Sequence, residues 1–341
     1  NANRQMVYKE YYDDGAWHFN EVQEVLNAAF DEYDRVVTST EEGDPIWSTQ
    51  ITSWNTGALE VDGITGNVTG ITLDDADKTV ANFKDVQEII YGDDTHAAYD
   101  VFGNVLYQTT DTYIVDPADE LDPTDAVPAR AALEIASHAV TVNEYDFGTP
   151  ATDTIAVEFP DGTTEDLSVT FAQKRGTALV STTTTYNDLG ETEPVDRTVN
   201  ITSKIDVRGN ALEQEAYTFV NEYDDQGQVG AEKLASFRRT TSSLYDGRGN
   251  AGRQEVTSYR IYETNGFQVD PAVDYLTGLI TGGKAILVDH QVMINRDYDG
   301  RGNVLSQNIY TYEEKNGNLL DVQEIRSSGY TSSGVASVQT I

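Results

Sequence analysis

Residues 303–314 and 319–330 each span 12 positions, and residues 250–262 span 13, between clusters of Gly, Asn and Asp. Inside 303–314, Val304, Ser306, Asn308, Tyr310 and Tyr312 fall on one side of an extended chain. Leu305, Gln307, Ile309, Thr311 and Glu313 fall on the other. Neither side is cleanly apolar, but Tyr, Val, Ile and Thr recur and Pro is absent, as strands require. At about 3.3 Å per residue, such strands reach roughly 40 Å, about twice the usual length. The pattern predicts a mainly all-β fold: a long-stranded antiparallel β-meander, twisted or shell-like, with both faces partly polar. Cross-strand Tyr, Thr and Gln neighbours would hold it as much as a core does.

The segments repeat. Glutamine recurs every sixteen residues at Gln291, Gln307, Gln323 and Gln339. Tyr298, Gly302 and Gln307 stand at relative positions 0, 4 and 9. Tyr99, Gly103 and Gln108, Tyr245, Gly249 and Gln254, and Tyr330, Gly334 and Gln339 repeat that spacing. Internal periodicity outranks local propensity, so these copies define the organisation. Between the segments lie turns with Asp first and Gly fourth: Asp100 and Gly103, Asp206 and Gly209, Asp224 and Gly227, Asp246 and Gly249, Asp299 and Gly302. Aspartate can cap backbone N–H groups two residues on, and glycine accepts positive φ without strain. Asn187 and Gly190 form a looser copy.

Residues 1–42 read as N-terminal repeat-like strands, 43–85 as a decoration of short strands and 86–115 as one repeat. Residues 116–150 read as an acidic loop with a helix, and 151–341 as the main repeat array. Val22-Gln23-Glu24-Val25, Val86-Gln87-Glu88-Ile89 and Val322-Gln323-Glu324-Ile325 look like copies of one strand. The first also fits a helical stripe through Leu26, Ala29, Phe30 and Tyr33. Alanine-rich residues 128–138, with Asp125 as a nearby cap, predict one short helix. Residues 151–172 predict a hairpin around Pro160-Asp161-Gly162.

The two ends carry matching half-patterns. Val335, Val338, Gln339 and Ile341, followed by Met6, Tyr8, Tyr11 and Tyr12, resemble one complete segment such as 304–314. These eight residues are the predicted assembly site, where the last strand of one chain completes the sheet of its neighbour.

Charge narrows the partners. The 341 residues include 58 acidic and 22 basic, a net charge of -36, which repels nucleic acid and anionic lipid. It suits a solvated surface or a salty exterior. No apolar run approaches the roughly 20 residues of a membrane helix. Cysteine is absent, which removes disulfides and thiol chemistry. The opening Asn1-Ala2-Asn3-Arg4 lacks an initiator Met and an apolar stretch, so the sequence reads as a mature or excised segment, a slight pointer to export.

Candidate chemistry adds little. His18, His96, His138 and His290 lack partners at metal or triad spacing, and no hydrolase motif is present, so no enzyme is expected. Asp297, Asp299 and Asn303 resemble the start of a calcium loop, but its closing Glu is missing and Arg301 stands where a ligand would. No cofactor is expected, and Ca²⁺ would bind only weakly. Asn67 and Asn200 match glycosylation acceptors, and Trp17, Trp47 and Trp54 are candidate sugar platforms.

The Tyr-Asp-x-x-Gly-Asn-Val/Ala-x-x-Gln copies resemble the YD repeats of Rhs, teneurin and toxin-complex proteins. That resemblance covers roughly residues 97–115 and 186–341. It implies a long antiparallel sheet spiralling into a hollow shell and an extracellular setting. The usual Gly-Arg-Leu after the turn is replaced by Gly-Asn-Val or Gly-Asn-Ala, and no Rhs core box or autoprotease pair is present, so toxin processing is not implied. The expected function is structural: a self-assembling subunit, or adjoining repeats of a longer chain, in an extracellular filament, tube or surface layer. The second expectation is an adhesin or carbohydrate-binding segment of a giant surface protein.

Overall fold

The computed structural model describes residues 3–13, 16–39, 46–61, 68–116, 118–148, 152–223, 229–262, 284–298, 304–315, 317–328 and 338–340. The chain is 62% strand and 4% helical, so it is an all-β protein. The first third contains β1 (Arg4–Asp13), β2 (Ala16–Asn27), β3 (Ala29–Phe30), β4 (Val36–Val37), β5 (Thr49–Trp54), β6 (Ala58–Val61), β7 (Val68–Thr72), β8 (Phe83–Tyr91) and β9 (Tyr107–Ile114). The middle adds β10 (Glu134–Glu144), β11 (Thr154–Glu158), β12 (Thr164–Ser168), helix α1 (Thr170–Lys174), β13 (Val180–Tyr186) and β14 (Pro194–Asp206). The last third adds β15 (Ala211–Tyr223), β16 (Val229–Tyr245), β17 (Ala251–Tyr262), β18 (Lys284–Tyr298), β19 (Val304–Tyr312), β20 (Leu319–Ser328) and β21 (Val338–Thr340).

One 17-stranded sheet dominates, and all but β11 and β12 stand in it in single file, leaving fifteen in line. The order is β1, β2, β5, β8, β9, β10, β13, β14, then β15 to β21 in chain order. Every neighbour in the file is antiparallel. The β11–β12 hairpin pairs in parallel with the end of β14 that β13 leaves open. Because the file holds an odd number of alternating strands, β1 and β21 point the same way at opposite edges.

The four repeated glutamines fall one each on β18, β19, β20 and β21, so the sixteen-residue step measures one strand plus one turn. Two of them reach back along their own strand, Gln291 to Asp289 at 3.2 Å and Gln323 to Asp321 at 2.9 Å. The three Val-Gln-Glu copies lie on β2, β8 and β20, which excludes the helical alternative for residues 22–33.

Among the described residues, three separate clusters stand in place of one continuous core. Val199, Ile201, Tyr217, Phe219 and Leu234 pack across β14 to β16. Ile155, Val157, Val169, Ala172, Leu179 and Ile205 join the β11–β12 hairpin and α1 to the sheet. Trp54, Phe83, Val86 and Tyr113 form the third.

Two sequence readings are corrected. Residues 128–138 are not a helix: a single 3₁₀ turn (Arg130–Ala132) leads into β10. Ile135, His138, Val140 and Val142 find partners on β9 and β13, and pairing on both edges overrides alanine's preference for helix. The α-helix is instead α1, which follows the expected hairpin. The stretch read as a decoration contributes β5 to the main sheet, between β2 and β8, and only β6–β7 stands apart from it.

Candidate assembly site

The repeat turns are nearly superimposable in their bonding. In Asp100–Asn104, Asp206–Asn210 and Asp246–Asn250, one aspartate oxygen accepts the backbone N–H of the third and fifth turn residues. The Asp100 bonds come from Phe102 and Asn104 at 2.8 and 2.9 Å, and those of Asp206 from Arg208 and Asn210 at 2.8 and 2.9 Å. Asp246 accepts from Arg248 and Asn250 at 2.8 and 3.0 Å. The other oxygen accepts the side-chain amide of the closing Asn at 2.8, 2.8 and 2.9 Å. Gly103, Gly209 and Gly249 have φ of 87°, 94° and 86°, which explains glycine at the fourth place. At Asp246 the Asn250 side chain and the backbone donors hold the carboxyl below its usual range. Burial pushes the Asp100 carboxyl up, but bonds from Asn104, Gln173 and Phe102 outweigh it and lower it overall. Asp224, Gly227, Asp299 and Gly302 lie outside the described residues.

All three turns follow strands that run the same way, so they share one end of the sheet. There they touch. Arg208 donates to the Asp246 carbonyl at 2.9 Å. The Tyr245 hydroxyl donates to the Ala211 carbonyl at 2.5 Å, and that of Tyr298 to Ala251 at 2.7 Å. Tyr245 and Tyr298 therefore each reach back to the residue just past the previous turn, whereas the Tyr99 hydroxyl donates to the Val36 carbonyl at 2.7 Å. Between β10 and β13 a repeat turn is missing, and α1 takes its place. Gln173 bonds the Asp100 carboxylate at 3.0 Å and receives Asn104 at 2.8 Å, while Thr177 donates to the Gly209 carbonyl at 2.7 Å. The rim is continuous as a result.

The predicted assembly residues sit at the two outer edges. Met6, Tyr8, Tyr11 and Tyr12 are on β1, which pairs only with β2 among the described residues. Val338 and Gln339 are on β21, opposite Ser328 and Ser327 of the same chain. Val335 and Ile341 lie outside the described residues. Because β21 covers only Arg326 to Ser328, the outer edge of β20 from Leu319 to Ile325 has no strand beside it among the described residues. Leu319, Leu320 and Val322 there are 51%, 60% and 47% exposed. Sequence reasoning placed the open slot at the β21 end but did not single out these three residues.

Three other candidates have defined surroundings. Trp54 is buried edge-on against Phe83, closed to any sugar. The Trp17 side chain is outside the described residues. His138 is buried against Asp111, whose contact raises its pKa despite desolvation, and its far nitrogen faces Glu191 at 3.7 Å. Asp111 also accepts from Tyr113, and Arg130 bridges Tyr113 and Glu88. This is a cross-strand charge network over β8 to β10. His290 bonds Thr257 at 2.8 Å and lies 4.0 Å from Glu255. Among the described residues, no three acidic or histidine groups converge to hold a metal ion, and no helix is long and apolar enough to cross a membrane. No protein-family model and no curated protein matches the chain.

Proposed function

We propose that the chain is a structural segment of an extracellular filament, tube or surface layer, extended by strand addition between copies. The observation that carries this is the outer edge of β20: seven residues from Leu319 to Ile325 with no strand beside them among the described residues, bearing three exposed apolar side chains beside the charged Asp321 and Glu324. The unpaired backbone N–H and C=O groups of such an edge are a template for another strand.

Strand direction favours one arrangement. The slot beside β20 accepts a strand running like β21, and β1 runs that way. A second copy in the same orientation would insert β1 next to β20, in line with β21, and its own β2 would follow antiparallel. Backbone bonds would supply affinity, and side-chain fit would set register. Such a head-to-tail contact does not close, so it propagates. Adjoining YD-like repeats in one longer polypeptide would use the same contact. The net charge of -36 opposes association, and salt screens it, which suits a saline exterior.

Sedimentation velocity across protein concentration tests this. Large, concentration-dependent species are expected at high salt, and they should vanish in the Leu320→Lys, Val322→Lys double variant, still folded. A closed dimer, or polymers that persist in that variant, would overturn it.

A further inference from the structure

We propose a saccharide-binding cleft on the face of the sheet across β17, β18 and β19, specific for a short neutral sugar. The cleft measures about 320 Å³, at the lower end of the range that ligand pockets occupy. Its floor is apolar, formed by Val292 and Ile294 of β18. Tyr310 and Tyr312 of β19 form one wall two residues apart, so both rings stand on the same face of the strand. Aromatic faces of this kind suit the C–H face of a pyranose ring.

The opposite wall is polar and fixed. Arg253 donates twice to one oxygen of Glu255, at 3.2 and 2.6 Å. Lys315, from the turn after β19, lies 3.8 Å from the other Glu255 oxygen. Arg253 contacts hold the Glu255 carboxyl ionised, below its usual range, despite desolvation. The wall therefore presents cationic donors beside an anionic acceptor. Vicinal sugar hydroxyls, each both donor and acceptor, match that mixture, accepting from Arg253 and Lys315 and donating to Glu255. His290 closes the end of the cleft, its ring held by Thr257 and tilted against Tyr312 at 6.1 Å. The bulk charge of -36 argues the same way, since it disfavours polyanionic glycans and leaves neutral ones unaffected.

This site is independent of strand addition at β20. Saturation-transfer NMR and calorimetry on the whole chain, with panels of neutral and uronic-acid oligosaccharides, test it. Binding to at least one neutral oligosaccharide is expected. Tyr312→Ala should weaken it at least tenfold, Arg253→Ala comparably, and Tyr312→Phe should retain it, which separates lost stacking from misfolding. No neutral sugar bound at millimolar concentration, binding confined to uronic acids, or equal affinity in Tyr312→Ala would each overturn the proposal.

Discussion

At the scale of single residues, the turn glycines and repeat tyrosines carry distinct loads. A Cβ at Gly209 would meet Arg175 Cβ at 2.6 Å and Thr177 Oγ1 at 2.9 Å, in a backbone with φ of 94°. Gly247, in the next turn, has open space around it. Gly209→Ala should therefore cost about 1–3 kcal/mol and Gly247→Ala close to nothing, measured by denaturant unfolding. Tyr245→Phe and Tyr298→Phe each remove one hydroxyl bond between successive turns and should cost about 1 kcal/mol. The histidines should titrate in opposite directions. Asp111 raises His138, so its contribution is complete below about pH 6.5 and is lost as pH rises through the raised folded value. Burial lowers His290, so protonating it in the unfolded chain removes stability as pH falls below about 6.5. NMR titration should place the two midpoints on either side of that value, and coincident midpoints would contradict both environments.

At the scale of elements, the turns and the strand period were legible because they rest on local chemistry. Asp at the first place, Gly at the fourth and Asn at the fifth prescribe their own bonding, and three copies repeat it. The helix reading at 128–138 failed for the opposite reason: β10 is strand because β9 and β13 flank it, and neither partner is visible in its own composition. Helix α1 was hidden likewise. Its five residues carry little helical signal, and the missing turn between β10 and β13 that it replaces shows only in three dimensions. The edge residues Leu319, Leu320 and Val322 read as ordinary strand residues, and their exposure shows only in three dimensions. Lysine at Leu320 and Val322 should abolish association while shifting the melting temperature little, since both side chains already face solvent.

At the scale of the whole molecule, a single-file sheet without one core should be extended. A compact chain of this length has a radius of gyration near 20 Å, and the monomer in solution scattering should exceed that clearly. Assembly should strengthen with salt, because screening reduces repulsion between copies of charge -36. The central claim, that β1 of one copy lies beside β20 of the next, also fixes a length. With β21 and the incoming β1 sharing one strand position, each copy would add fourteen positions at about 4.8 Å, a repeat of roughly 65 Å before twist shortens it. Electron micrographs of the protein in high salt are the most direct measurement. Filaments or tubes with a subunit repeat near or somewhat below that length are expected, and isolated particles or closed dimers under the same conditions would contradict strand addition.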